Sequence, residues 1–135
     1  MPANKLSGDM TTNISIGEFL DKITILEIKS ERIHEPDKLT NIQNELTILN
    51  GIWNQSGYDV SKIKTELDEL KQINESLWEI EDKIRRKETE KSFDEEFIQL
   101  ARSVYVTNDQ RAATKKLINT KLGSNLIEEK SYQPY

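Results

Sequence analysis

The spacing of leucine and isoleucine in two consecutive stretches constrains this chain more than any other feature. Apolar residues recur at three- and four-residue steps from Leu39 to Trp53, and the same pattern runs from Val60 to Ile84. This spacing gives each helix one apolar stripe, as in a coiled coil. Because only a short turn joins the stretches, the helices should lie antiparallel. The sequence therefore predicts a helical hairpin with arms at about residues 37–53 and 60–90.

Capping motifs predict further helices on both sides of this hairpin. Ser15 followed by Glu18 is a capping box, and Ser92 followed by Glu95 is a second one. Gly123 is a typical C-terminal cap for the last long helix. The predicted fold is all-α: an elongated helical bundle of about four to five helices, built on an antiparallel coiled-coil-like hairpin.

The length of 135 residues indicates one domain. We expect a flexible N-terminal lead-in at residues 1–13, a helical bundle domain at 14–123 and a docked C-terminal tail at 124–135. Leu126, Ile127, Tyr132 and Tyr135 are the apolar residues that could pack the tail. The 35% content of hydrophobic residues is low for a monomer, so completion of the core by self-association is expected.

Charge and composition exclude several classes of function. The net charge of -5 argues against nucleic-acid binding, which needs a basic footprint. No apolar run approaches the ~20 residues of a membrane span, and no signal-peptide core is present. The chain has no cysteine. These features predict a cytoplasmic protein with no nucleic-acid or membrane partner.

The strongest candidate site lies on the last long helix. If that helix is continuous through residues 107–109, four polar residues share a face with its apolar stripe: Asn108, Arg111, Lys115 and Asn119. Polar groups on a packed face need partners, because burying them unpaired costs a few kcal/mol. Glu81 and Arg85, which can pair at four-residue spacing, supply matching charges on the preceding helix. The face indicates either a pocket for a phosphate or carboxylate or, more commonly, a structural ion-pair network.

Carboxylates are the only candidate metal ligands, since the chain has one histidine. Glu81 with Asp82, and Glu18 with Asp21, could hold a hard divalent cation such as Mg²⁺. Such acidic pairs are common in charge-rich helices, so no cofactor or metal is expected. Asp21 falls between two isoleucines and should be buried if that face is covered.

Several segments together resemble a family of short bacterial and phage proteins of unknown function, sometimes joined to repeat or sugar-metabolism proteins. The resemblance covers nearly the whole chain beyond residue 13 and implies a stand-alone helical unit, without an activity to carry over. The segments are Ile14–Glu18, Asp21–Lys29, Leu77–Asp82, Leu100–Arg102, Val104–Tyr105, Asn108–Asp109, Arg111–Ala112, Ile118–Asn119, Gly123–Ser124 and Glu128–Tyr132.

A second resemblance is to the all-α nucleoside triphosphate pyrophosphohydrolases. Those enzymes hold magnesium with Glu-Glu-x-x-Glu on one helix and Glu-x-x-Asp on the next. This chain has Glu18-x-x-Asp21 and Glu79-x-x-Asp82 but lacks the Glu-Glu-x-x-Glu stretch, which removes half of the metal cage.

Two classes of function follow. The preferred hypothesis is a homo-oligomeric interaction or assembly module, a homodimer or the partner of another protein. Its first helix should lie at or near the contact, because helical spacing puts Phe19, Leu20 and Ile23 on one face and Ile25 and Ile28 on nearly the opposite face. The alternative is a small-ligand-binding protein or a magnesium-dependent enzyme, acting on a phosphate- or carboxylate-bearing substrate through a polar pocket at the far end of the hairpin.

Overall fold

The computed structural model describes residues 8–135, and within this range it contains four α-helices and no strand. The predicted all-α class and helix number are confirmed. The first seven residues of the predicted lead-in lie outside the described range. The helices are α1 (Ile16–Arg32), α2 (Pro36–Gln55), α3 (Lys64–Thr89) and α4 (Glu95–Leu122), and a 3₁₀ turn at Val60–Ile63 precedes α3.

The helices pair differently from the predicted hairpin. No Cα atom of α2 lies within 8 Å of one in α3, so α2 and α3 are not the packed arms of a hairpin. The antiparallel pair is α3 with α4: Glu66 near the start of α3 binds Lys121 near the end of α4, and Lys87 near the end of α3 lies 2.9 Å from Asp94. The prediction failed because apolar stripes show that helices pack but do not identify their partners.

Helix α1 occupies the centre of the bundle and contacts all three other helices. It buries seven residues, whereas the longer α2 contacts only α1 and buries only Ile42. The two apolar faces of α1 are therefore covered within one chain. This removes the reason for placing α1 at a subunit contact.

The largest buried cluster lies where the first halves of α1 and α3 meet the last part of α4. Its members are Leu20, Ile23, Ile63, Leu70 and Ile118. Leu46, Leu49 and Trp53 of α2 pack against its edge. The buried polar residues Asp21, Thr24 and Asn74 lie next to this cluster, nearer the middle of the α3–α4 pair.

Helix α4 is continuous through residues 107–109, so the polar face predicted for it does exist. After Gly123 ends the helix in the left-handed conformation, the tail turns back along α4. Lys116 pairs with Glu129 at 3.0 Å, and the Tyr135 hydroxyl donates to Asp109 at 2.6 Å. The Tyr135 ring also packs against Tyr105 of α4, with ring centroids 5.0 Å apart, although all four predicted packing residues of the tail stay largely exposed. Within the described residues, no helix is long and apolar enough to cross a membrane.

Candidate functional site

A buried ion pair joins α1 to α4. Asp21 is fully buried (0% exposed) and accepts hydrogen bonds from Arg111 through both carboxylate oxygens: Nε lies 2.9 Å from Oδ1, and Nη2 contacts Oδ2. The hydrogen bond to Asp21 raises the pKa of Arg111 above its ordinary value. This two-point contact is the geometry that a planar guanidinium favours with a carboxylate, and it fixes the orientation of Arg111.

Asn74 of α3 completes this contact between three helices. Its side-chain nitrogen donates to Oδ1 of Asp21 and to Oγ1 of Thr24, both at 2.9 Å. The Thr24 hydroxyl donates to the backbone carbonyl of Asp21 at 2.8 Å. The polar residues that α1, α3 and α4 carry among their apolar neighbours thus satisfy each other. We call Asp21, Thr24, Asn74 and Arg111 the polar cluster.

A cleft of about 400 Å³ opens beside the polar cluster, between α1, α3 and α4. Ile25, Ile28, Leu77 and Trp78 form its apolar lining. The polar residues that line it are Lys29, Asn74, Glu81, Asp82, Arg85, Asn108 and Arg111. An apolar concavity with a few convergent polar groups is the usual form of a small-molecule site.

The structure divides the predicted site residues into two groups. Asn108, Arg111, Glu81 and Arg85 all line the cleft, as does the candidate metal ligand Asp82. Arg85 pairs with Glu81 along α3 at 3.1 Å, as expected from their spacing. These residues therefore lie around one cleft, and a ligand-binding role for them stays a prediction.

Lys115 and Asn119 do not line the cleft, because they fasten the start of α1 to α4. Lys115 donates to Glu18 at 2.5 Å and to Glu128 of the tail at 3.2 Å. Burial lowers the pKa of Lys115, but the Glu18 hydrogen bond and the nearby carboxylates outweigh burial and raise it above its ordinary value. Asn119 accepts the Gly17 amide hydrogen at 2.6 Å. For these residues the ion-pair interpretation fits better than the pocket.

Gly17 allows this close contact. A Cβ atom at this position would lie 2.5 Å from the backbone oxygen of Lys115 and 3.0 Å from Oδ1 of Asn119. Any other residue would push the helices apart. The approach brings the amide of Ile16 to 3.2 Å from the Ser124 hydroxyl oxygen, so α4 and its tail satisfy free amides at the start of α1.

Three of the four candidate metal ligands have cationic partners, and Asp82 is the one without an ion-pair partner in the described residues. Asp21 and Glu18 bind Arg111 and Lys115, and Glu81 binds Arg85. In residues 8–135, no three histidine, aspartate or glutamate side chains are grouped so that they could hold a metal ion. Neutralised carboxylates are poor candidates for a magnesium cage.

Sequence reasoning about the site missed three residues of the cleft: Lys29, Asn74 and Trp78. Lys29 has no carboxylate within salt-bridge distance among the described residues, although it lies in a charge-rich helix. Asn74 gave a signal, since it interrupts the apolar stripe of α3. Nothing in the sequence indicated that α1 rather than α2 would lie opposite it.

A separate surface stands out on the outer side of α2. Ile48 and Ile52 are each 53% exposed, one turn apart. Ile52 also lines an apolar groove of about 230 Å³ at the α1–α2 junction, together with Phe19, Trp53 and Tyr58. We call Ile48, Ile52 and this groove the α2 surface.

Comparisons with known proteins give a family but no activity. No curated protein and no solved structure matches the chain. One family model, described as a family of unknown function (DUF6165), matches residues 10–135. Because this match covers nearly the whole chain, the protein belongs to the DUF6165 family, whose function is unknown.

Proposed function

We propose that this protein is a self-associating helical module whose α2 surface forms the contact between two copies. The observation that carries the proposal is that the α2 backbone comes close to that of α1 alone among the helices, although α2 has apolar residues on two opposite sides. Leu46 faces the core, and Ile48 lies two residues later, about 200° away around the helix. A helix that is apolar on two sides needs a second neighbour, which one copy does not supply.

The charge distribution favours a second copy of this chain as that neighbour. Residues 39–58 contain a single charged side chain, Glu45, although 32% of the whole chain is charged. With a net charge of -5, two copies repel each other over most of their surfaces. The α2 surface is where they can approach with the least repulsion, and depletion of charge is typical of interface cores.

The groove supplies the additional area that a stable contact needs. A 20-residue helix is about 30 Å long, so one of its sides is smaller than the ~800 Å² per partner of a standard interface. The groove beside Ile52 extends this surface across the end of α1. In a two-fold arrangement, an isoleucine from each copy can enter the groove of the other.

Sedimentation velocity tests this proposal with a matched pair of variants. The wild type should form a dimer at micromolar concentration, and Ile48→Lys should be a monomer. Ile98→Lys is the control, because Ile98 on α4 has nearly the same exposure, 48%, but lies outside the α2 surface. A monomeric wild type, or an Ile48→Lys variant that dimerises as well as the control, would overturn the proposal.

We also propose a second function, binding of a small ligand in the cleft. The observation that favours it is the convergence of unpaired polar groups on an apolar concavity that three helices form. We do not extend this proposal to a magnesium-dependent enzyme, because cations hold Glu18, Asp21 and Glu81 and the described residues contain no group of three carboxylate or histidine side chains that could bind a metal ion. The cytoplasmic location expected from the sequence stays a prediction.

The two tryptophans report separately on these two functions. Trp53 lines the groove of the α2 surface, and Trp78 lines the cleft. In a heteronuclear NMR spectrum, dilution of the protein should move the indole signal of Trp53. Addition of a cleft ligand should move that of Trp78. A Trp78 signal that no small molecule moves would contradict the second function and leave self-association unaffected.

A further inference from the structure

We infer that the cleft recognises one ligand class: a small organic molecule with a single carboxylate or phosphate and, next to it, a hydroxyl or amino group that donates a hydrogen bond. The inference rests on the second function proposed above, ligand binding in the cleft. Three polar groups that the fold leaves without protein partners carry it.

The first group is the outer edge of the Arg111 guanidinium. A guanidinium has five N–H donors, and Asp21 takes one from Nε and one from Nη2. No described residue accepts from Nη1. The Arg111 side chain is 28% exposed and lines the cleft. Asp21 thus orients a planar donor whose free edge suits an anionic oxygen.

The second group is the side-chain oxygen of Asn74, a residue that is only 6% exposed. The amide orientation is fixed, because its nitrogen lies against the Asp21 carboxylate and against a Thr24 hydroxyl that already donates elsewhere. No described residue donates to Oδ1. Among these residues, no polar side-chain atom sealed from solvent lacks a partner, so this oxygen reaches solvent, at the cleft that Asn74 lines. It requires a donor, and a ligand hydroxyl or amino group supplies one.

The third group is the Lys29 ammonium. Asp21 neutralises Arg111 and Glu81 neutralises Arg85, which leaves Lys29 as the cation of the cleft lining without a carboxylate partner in the described residues. Asp82 is the lining carboxylate without an ion-pair partner in these residues, so it balances the charge of Lys29 across the cleft as a whole. Lys29 can still pair locally with one anionic group, and Asp82 together with Glu81 repels a chain of phosphates. The charges therefore favour a ligand with one carboxylate or phosphate.

Asn108 and the apolar lining define the rest of the ligand. The Asn108 amide also has no protein partner in the described residues and offers both a donor and an acceptor. Ile25, Ile28, Leu77 and Trp78 give the cleft an apolar lining for the ligand's carbon skeleton. The cleft of about 400 Å³ falls within the range of about 300–1,000 Å³ usual for small-molecule pockets.

Paired probes test this ligand class while the Trp78 indole signal is followed by NMR. Mandelate has a carboxylate, a neighbouring hydroxyl and an apolar ring, and phenylacetate lacks only the hydroxyl. Glucose 6-phosphate tests the phosphate source, and glucose lacks the anion. The expected result is saturable movement of Trp78 by mandelate or glucose 6-phosphate, with weaker binding of phenylacetate and glucose. Trp53 should not move.

Lys29→Gln should weaken the binding of the anionic probe about tenfold, the effect of losing one charge-assisted contact. Lys22→Gln is the control, since Lys22 is an exposed lysine of the same helix outside the cleft. Phenylacetate binding as tightly as mandelate would overturn the donor requirement, and equal binding by the Lys29 and Lys22 variants would overturn the anion requirement. Binding of glucose without binding of the anionic probes would overturn the proposed ligand class, but it would support ligand binding in the cleft. If no probe moves the Trp78 signal, both the proposed ligand class and ligand binding in the cleft are overturned.

Discussion

Helices α1 and α2 follow each other in the chain, and both carry apolar residues on two sides. Their surroundings differ: α1 has three helical neighbours and buries seven residues, and α2 has one neighbour and buries only Ile42. A helix with apolar residues on two sides therefore needs two packing partners, but its sequence does not show whether the second partner lies in the same chain or in another molecule. For α1 it is found within the chain. For α2 we have proposed a second copy.

The largest expected effect concerns the ion pair that holds α1 in place. Arg111→Ala leaves Asp21 buried without its cation, and removal of one partner of a buried pair typically costs about 3–5 kcal/mol. Urea unfolding of the variant should show this loss. Arg102→Ala on the same helix removes an exposed arginine without a partner in the described residues, so it should change stability by about 0.5 kcal/mol or less.

Equal stability of these two variants would show that the Asp21–Arg111 contact does not hold α1. The same comparison explains why Arg111 is a poor first choice for testing ligand binding. A variant that unfolds loses binding for a trivial reason. Lys29, which is outside the polar cluster, tests the cleft without this complication.

Two glycines give the next largest effect, with opposite signs. A Cβ at Gly17 would collide with the Lys115 carbonyl, so Gly17→Ala should destabilise the fold by about 1–3 kcal/mol. A Cβ at Gly51 meets nothing within 4 Å. In the monomer, Gly51→Ala should therefore stabilise α2 by up to about 1 kcal/mol. Thermal unfolding in dilute solution measures both changes.

Gly51 also sharpens the comparison between the helices, because it lies one residue from Ile52 in the α2 surface. If a second copy packs there, Gly51→Ala should weaken dimerisation even though it stabilises the monomer. An alanine variant that is less stable than the wild type in dilute solution would mean that this side of α2 is not free in the monomer.

The smallest expected effect concerns the start of α4, which an exposed residue caps. Asp94 accepts the amide hydrogen of Phe97 at 3.0 Å and pairs with Lys87, and the Lys87 contact is the main reason why its pKa falls from 3.8 to about 2. A lowered pKa in the folded state means that ionised Asp94 stabilises the fold. This contribution is complete above pH 3.8 and is lost as the pH falls through about 2.

A pH titration of unfolding in the wild type and Asp94→Asn measures this contribution. The variant should lose the part of the pH dependence that lies between these two values. The sequence predicts Ser92 as the cap of α4, but this prediction is wrong, because the Ser92 hydroxyl donates to Asp94 at 3.2 Å and Asp94 is the cap. An unchanged pH profile in Asp94→Asn would show that the cap is not electrostatic.

Local signals in the sequence predicted most of the helices. Ser15 caps α1 through the amide of Glu18 at 3.1 Å, as the capping box predicts. The Glu18 carboxylate, however, binds Lys115 instead of completing the box. Caps depend on residues three positions apart, so sequence alone reveals them. Whether a carboxylate near a cap binds the amide of its own helix or a cation of another helix depends on the tertiary packing.

The candidate site was predicted in part for the same reason. The polar face of α4 follows from helical spacing, and Asn108 and Arg111 do line a cleft with Glu81 and Arg85. Lys115 and Asn119 share that face but lie one and two turns further on, where Gly17 lets α1 approach and seals them. Helical periodicity shows which side of a helix a residue lies on. It does not show which element packs over that residue.

The sequence by itself determined that the chain is helical, where its helices lie to within a few residues, and that Asp21 and Arg111 lie on packed faces in need of partners. Only the tertiary structure decided that α3 pairs with α4, that α1 is central and that α2 keeps one side free. The physical reason is that apolar burial has little directional preference, so similar stripes can pack in several arrangements. Paired charges and the close approach at Gly17 tell these arrangements apart, and they form only once the helices meet.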